Sequence, residues 1–157
     1  MSLEVLGERW SILVLREVFL GNRRFETIRQ HTGAPRAILT ARLNTLVDNG
    51  ILSRHEYRDP GARARHEYRL TSAGRELQPV LTALMQWGDK HLVAPASPPL
   101  RLRHRDCGGT VRAVLTCEHG HQLPDTGSGL EPVPGALSGV LPGAGAGGTE
   151  GRGRGQG

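Results

Sequence analysis

The chain has 157 residues, a formal charge of +5, 22 glycines and 10 prolines, enough for one ordinary domain with its own core, although the composition says that not all of it folds. All six aromatic residues (Trp10, Phe19, Phe25, Tyr57, Tyr68, Trp87) precede residue 93, and 124–157 holds 12 Gly and 4 Pro in 34 residues, so that segment is expected to be a disordered tail. No apolar run approaches the roughly 20 residues that span a bilayer, no secretory signal opens the chain, and two cysteines are too few for a disulfide scaffold, so a cytoplasmic protein is expected, neither membrane-bound nor secreted.

The first pattern, about Glu8 to Leu20, is apolar on nearly every side (Trp10, Ile12, Leu13, Val14, Leu15, Val18, Phe19, Leu20) and predicts a buried central helix ended by Gly21-Asn22. Phe25 to His31 predicts a short second helix closed by Thr32-Gly33. Pro35 then opens a third, at a position that needs no N–H. This third helix, Pro35 to Asp48, ends at Asn49-Gly50, and its Leu39, Leu43, Leu46 and Val47 form one buried stripe. Two short helices on a tight Gly-containing connection have the outline of a helix-turn-helix.

At Ile51 the period changes to two, and the runs on either side of Asp59-Pro60-Gly61 predict a β-hairpin with Arg58, Arg63 and Arg65 at its tip. Glu56 and Glu67 are expected to face one another across it or to point to solvent. A last helix starts near Thr71-Ser72, either hydroxyl serving as cap, and runs to about Leu92, with Pro79 imposing a bend or a late start. The fold class is thus α+β: a winged helix-turn-helix over 1–93, a Pro-rich linker over 94–100, a small Cys/His appendage over 101–123 and the Gly-rich tail over 124–157.

Opposite the apolar stripe, the third helix carries Ala37, Thr40, Ala41, Asn44 and Thr45, with Arg36 and Arg42 at the flanks. Arginine can bond guanine bidentately, asparagine can bond adenine, and an Ala or Thr methyl can touch the thymine methyl. The same face would equally suit plain solvent. The Arg-rich hairpin tip following two helices shifts the balance towards a wing that lies along phosphates or in a minor groove. A charge of +4 over residues 1–92 is compatible with a nucleic-acid partner without establishing one.

Several blocks, in order, resemble the HxlR-type winged-helix regulators, relatives of the MarR group: Leu3-Glu4-Val5-Leu6-Gly7-Glu8-Arg9-Trp10, Leu13-Val14-Leu15-Arg16, Arg23-Arg24-Phe25-Glu26-Thr27-Ile28, Leu39-Thr40-Ala41-Arg42-Leu43, Asn49-Gly50-Ile51-Leu52, Glu67-Tyr68-Arg69-Leu70-Thr71-Ser72-Ala73-Gly74 and Leu84-Met85-Gln86-Trp87-Gly88. The resemblance implies a bacterial transcription regulator, with repression as its expected output, that binds a pseudo-palindrome in double-stranded DNA as a homodimer. It implies DNA contacts from Arg36, Thr40, Arg42 and Asn44 in the helix and Arg63 and Arg65 in the wing, with Arg23 and Arg24 as secondary phosphate contacts. It also implies a dimer interface on the long C-terminal helix, at Leu77, Val80, Leu81, Leu84 and Trp87, positions that alone would serve equally well as core. The sensor cysteine that some members carry ahead of the first block is absent from this chain, whose native start could lie upstream. The wing is also longer and richer in Arg than the family's.

Cys107, Cys117, His119 and His121 could supply four ligands to a tetrahedral zinc, on turns flanking a β-like run. Without a C-x-x-C pair, a small hairpin packed on the domain is the preferred reading, with a Cys107–Cys117 redox pair as a third. No pattern identifies a small-molecule effector. No catalytic motif is present, so an enzyme is not expected. The reading from another class is a winged-helix module that docks an acidic protein partner without specific DNA binding.

Overall fold

In the computed structural model, residues 2–61, 63–92, 100–124, 126 and 128–133 are described. The expected linker, apart from Leu100, and most of the expected tail lie outside them. The elements run α1 (Ser2–Leu6), α2 (Arg9–Phe19), α3 (Phe25–Thr32), α4 (Arg36–Asp48), β1 (Leu52–Tyr57), β2 (Arg65–Leu70), α5 (Ser72–Arg75) and α6 (Gln78–His91). This is an α+β winged helix-turn-helix, and α1 is the one helix that the apolar periodicity did not announce.

The core is built where the α2, α3 and α4 stripes meet the hairpin: Val14, Leu15 and Val18 from α2, Ile28 from α3, Leu39, Leu43 and Leu46 from α4, and Leu52 and Tyr68 from the strands. Leu39, Leu43 and Leu46 are wholly buried, each contributing about 1.5–3 kcal/mol relative to an exposed side chain. Burial also pushes the Tyr68 hydroxyl above its ordinary value, against a lowering by the charge of Arg54.

The α2 helix is buried on one face only, not on nearly every side. Ile12, Leu13, Phe19 and Leu20 line a pocket of about 220 Å³ together with Leu81, Leu84 and Met85 of α6, Leu100 and Leu102. The apolar residues that exceed one helical stripe cover this second, incompletely filled face, where Leu20 stays 45% exposed.

The α4 C-terminus closes as a Schellman turn: Gly50 donates to the Val47 carbonyl at 2.9 Å and Ile51 to the Leu46 carbonyl at 2.9 Å. Gly50 sits there at φ +68°, a left-handed conformation that a side chain would strain. The chain then enters the antiparallel hairpin, paired from Leu52↔Leu70 to Tyr57↔Arg65. In this register Glu56 lies opposite His66 and Glu67 opposite His55, so the two glutamates do not face one another. Glu67 instead accepts from Arg69 Nε at 2.6 Å.

Of the two candidate caps, Thr71 is the one used: its Oγ1 accepts from Gly74 N at 3.0 Å. Pro79 splits the last helical segment outright into α5 and α6, since it can occupy a first turn but not an interior.

By its contacts the chain divides into two compact units, Met1–Val114 and Leu115–Gly157. The first half of the Cys/His segment belongs to the unit that holds the helices. There Gln86 of α6 donates through Nε2 to the Val111 carbonyl at 2.8 Å and accepts from Ala113 N at 3.0 Å, as a neighbouring strand would. A tight turn, with His104 N donating to Gly109 O at 2.8 Å, carries Cys107. In the second unit a similar turn, with Cys117 N donating to His121 O at 3.0 Å, carries Cys117. Among the described residues no helix is long and apolar enough to cross a membrane.

Candidate nucleic-acid interface

The α3–turn–α4 unit presents one face of α4 outward. Because Leu39, Leu43 and Leu46 point into the core, Arg36, Ala37, Thr40, Ala41 and Asn44 are exposed, while Arg42 and Thr45 are half-buried at the flank. The Thr40 hydroxyl donates to the Arg36 carbonyl at 2.9 Å, which commits its proton and leaves its methyl and lone pairs outward. Arg42 and Asn44 have no side-chain partner among the described residues, so both keep their full hydrogen-bonding capacity for a base edge.

Arg36 is more engaged. Its guanidinium pairs with Glu26 of α3 and lies 5.1 Å from the centre of the Phe25 ring. Glu26 also accepts from Arg29 Nε at 2.9 Å. The bond from Arg29 holds the Glu26 carboxyl below its ordinary value, against desolvation, with further lowering by Arg36. Arg36 is therefore tethered at the head of α4, available to a phosphate only by sharing or leaving Glu26.

The wing is anchored to the start of the motif. Tyr68 N donates to the Arg23 carbonyl at 2.8 Å and Arg24 forms a bridge with Glu67, so residues 23 and 24 add a short third rung beside β2. Arg23, Arg63 and Arg65 are exposed and without side-chain partners among the described residues. The Arg24 side chain, by contrast, reaches Asp59 at 3.2 Å and lies 4.5 Å from the centre of the Tyr57 ring. No sequence signal links positions 35 residues apart, and the partnership of Arg24 with Tyr57 and Asp59 was not legible beforehand.

The residues expected at a dimer interface divide in two. Leu77 and Leu81 pack against the core, whereas Val80, Leu84 and Trp87 are 52%, 50% and 55% exposed. They form a stripe at spacings of four and three along α6, of which Leu84 also lines the pocket shared with α2.

Of the four candidate zinc ligands, Cys107 lies in the first unit, within 3.3 Å of His104 Nδ1, and Cys117, His119 and His121 lie in the second. Among the described residues no three His, Cys, Asp or Glu side chains gather as a metal ion would require.

The model of the HxlR-like helix-turn-helix matches residues 5–95. The HTH-type transcriptional regulator Rv3095 of Mycobacterium tuberculosis, itself uncharacterised, is 46% identical over 85% of this chain and 84% of its own length. Among solved structures, PA1607, named as a candidate transcription factor, superposes with a TM-score of 0.70 at 34% identity over 82% of this chain and 89% of its own. PA1374 of Pseudomonas aeruginosa, named in the same way, gives 0.58 at 32% identity over 86% and 91%. By the family match and these relatives, which agree with an exposed polar face on α4 and an Arg-bearing hairpin, the chain belongs to the HxlR-like helix-turn-helix family and is a DNA-binding transcriptional regulator, not an enzyme.

Proposed function

We propose that this regulator works as a homodimer that reads a pseudo-palindromic operator and represses transcription from it. The observation that carries the reading is the outer face of α4, where Ala37, Thr40, Ala41 and Asn44 stand exposed opposite three wholly buried leucines. Small and short polar side chains let the helix axis come close to base edges. In this reading Asn44 and Arg42 bond bases, Thr40 offers its methyl and lone pairs, and Arg36 and Arg23 hold phosphates. Arg63 and Arg65 extend the contact along the backbone through the wing. Two copies joined through Val80, Leu84 and Trp87 would set the two α4 helices about one DNA turn, roughly 34 Å, apart. Much of the affinity is then electrostatic and falls steeply with salt.

Selection of bound duplexes from a random pool, with the mass of the free protein measured in solution, tests the reading. A two-fold consensus recovered by a dimer supports it. Enrichment of no sequence, or a monomeric mass throughout, overturns it.

A further inference from the structure

We propose that Arg24 is a positioning residue that fixes the wing against the first helix of the motif, and that it is not a phosphate contact. The proposal rests on the reading above, in which the wing touches DNA through Arg63 and Arg65.

Arg24 is the extended residue immediately before α3, and its backbone bridges Glu67 of β2. Its side chain then turns to the far end of the hairpin. Nη2 donates to Asp59 Oδ1 at 3.2 Å and Nη1 to Asp59 Oδ2 at 3.4 Å, while the guanidinium carbon lies 4.5 Å from the centre of the Tyr57 ring. Tyr57 is the last residue of β1, and its pairing with Arg65 is the last rung of the ladder. Beyond that rung no ladder pairing is seen among the described residues of the tip, and a two-stranded hairpin has little stiffness of its own. A bidentate carboxylate fixes the direction of a guanidinium and a ring face fixes its plane. Together they tie the tip to the start of α3 at the point where ladder pairing stops.

The tip's charges agree with this division of labour. Asp59 is the only acid between Arg58 and Arg65, and beside a polyanion an isolated carboxylate would oppose binding. Paired with Arg24 it instead orients the segment that presents Arg63 and Arg65, neither of which has a side-chain partner among the described residues. Arg24, with two nitrogens committed and a carboxylate beside it, is poorly placed to hold a phosphate as well.

The test measures binding of the full chain to a mixed-sequence duplex pool across a salt series, so that no operator need be known. Asp59→Asn is expected to weaken binding about two- to fivefold, against the simple charge expectation that removing an acid tightens it. Arg24→Lys, which keeps the charge but loses the fork and the stacking, should weaken binding to a similar extent, and the double change should be no worse than the poorer single one. Tighter binding by Asp59→Asn, unchanged binding by Arg24→Lys, or losses that simply add would overturn the proposal. Arg63→Ala with Arg65→Ala is the control. Loss of about two from the slope of log K against log salt upholds the wing reading, and the outcomes above then bear on Arg24 alone. An unchanged slope removes the wing from the DNA and takes this proposal with it.

Discussion

Glu17 of α2 and His31 of α3 are joined through a buried carboxylate: Nδ1 of His31 donates to Oε2 of Glu17 at 2.8 Å, and Glu17 sits in the last turn of an otherwise largely apolar helix. Arg16 and Asn22 also donate to the same carboxylate, at 2.8 Å each. With its Nδ1 proton given to Glu17, His31 cannot accept from Asn22, whose amide is satisfied by the carboxylate. The network links the central helix to the first helix of the DNA-binding motif, and it satisfies a group whose burial would otherwise be costly.

Burial alone would push the Glu17 carboxyl up, but the bonds from His31, Arg16 and Asn22 and the charge of Arg16 outweigh it and leave it below its ordinary value of 4.5. A carboxyl depressed on folding stabilises the native state above its unfolded value, and that stabilisation is lost as pH falls through the lower folded value. Glu17→Gln should therefore cost about 1–2 kcal/mol at neutral pH, since Arg16 and His31 are half-exposed and can rehydrate. Its deficit should shrink as pH falls below the ordinary value of 4.5. Chemical denaturation of both proteins across that range checks this, and a deficit that does not change with pH would show that the ionised form is not what matters.

Gly74 answers to a different constraint. A Cβ built on it would lie 2.2 Å from the Ile51 carbonyl oxygen and 3.2 Å from the Leu70 side chain. The start of α5 thus lies directly on the junction between α4 and the hairpin, an approach only glycine permits. Gly74→Ala is expected to lower stability by about 1–3 kcal/mol despite the better helix propensity of alanine. A thermal melt equal to or above that of the unmodified chain would count against the close contact.

The periodic features were legible in the sequence, and the long-range pairings were not. The 4-3-1 spacing of Leu39, Leu43, Leu46 and Val47 located α4 and its outward face, and the change to a period of two at Ile51 located the hairpin. Thr71 and Ser72 were equivalent as caps on paper, and only the fold distinguishes them. In α2 the apolar residues exceed one stripe, so the periodicity gave no sign that Ile12, Leu13 and Phe19 would line a pocket. Nor did it mark Glu17 as buried, because its partners His31 and Asn22 come from the following turn and α3. The α6 positions were ambiguous for the same reason: Leu77 and Leu84 look alike in sequence, yet the first packs on the core and the second is 50% exposed.

Asn44 and Arg42 of α4 have no side-chain partner among the described residues, and if this face reads DNA as proposed their substitution should change selectivity more than stability. Asn44→Ala is expected to cost about 1–3 kcal/mol at one position of the selected consensus and to relax the preference there. Folding should be within about 0.5 kcal/mol of the parent, as for other exposed sites. Repeating the duplex selection with the variant would reveal this directly. A consensus with every position intact would place Asn44 off the bases.

The outer stripe of α6 separates association from folding. Leu81 is half-buried against the core, and a charge there would lose apolar contact and some hydration, so Leu81→Glu should lower stability by about 1–3 kcal/mol. Trp87, 55% exposed, belongs neither to the core nor to the lining of the α2–α6 pocket, whereas Leu84 contributes to that lining. If the stripe meets its counterpart in a second copy, Trp87→Glu should leave the circular dichroism spectrum and melting of the monomer intact while halving the solution mass. Affinity for a two-fold operator should then fall about a hundredfold or more, because each half-site would be bound without the effective concentration supplied by its neighbour. Light scattering alongside DNA binding distinguishes the outcomes. A variant that keeps the parental mass and operator affinity would show that this stripe is not where two copies meet.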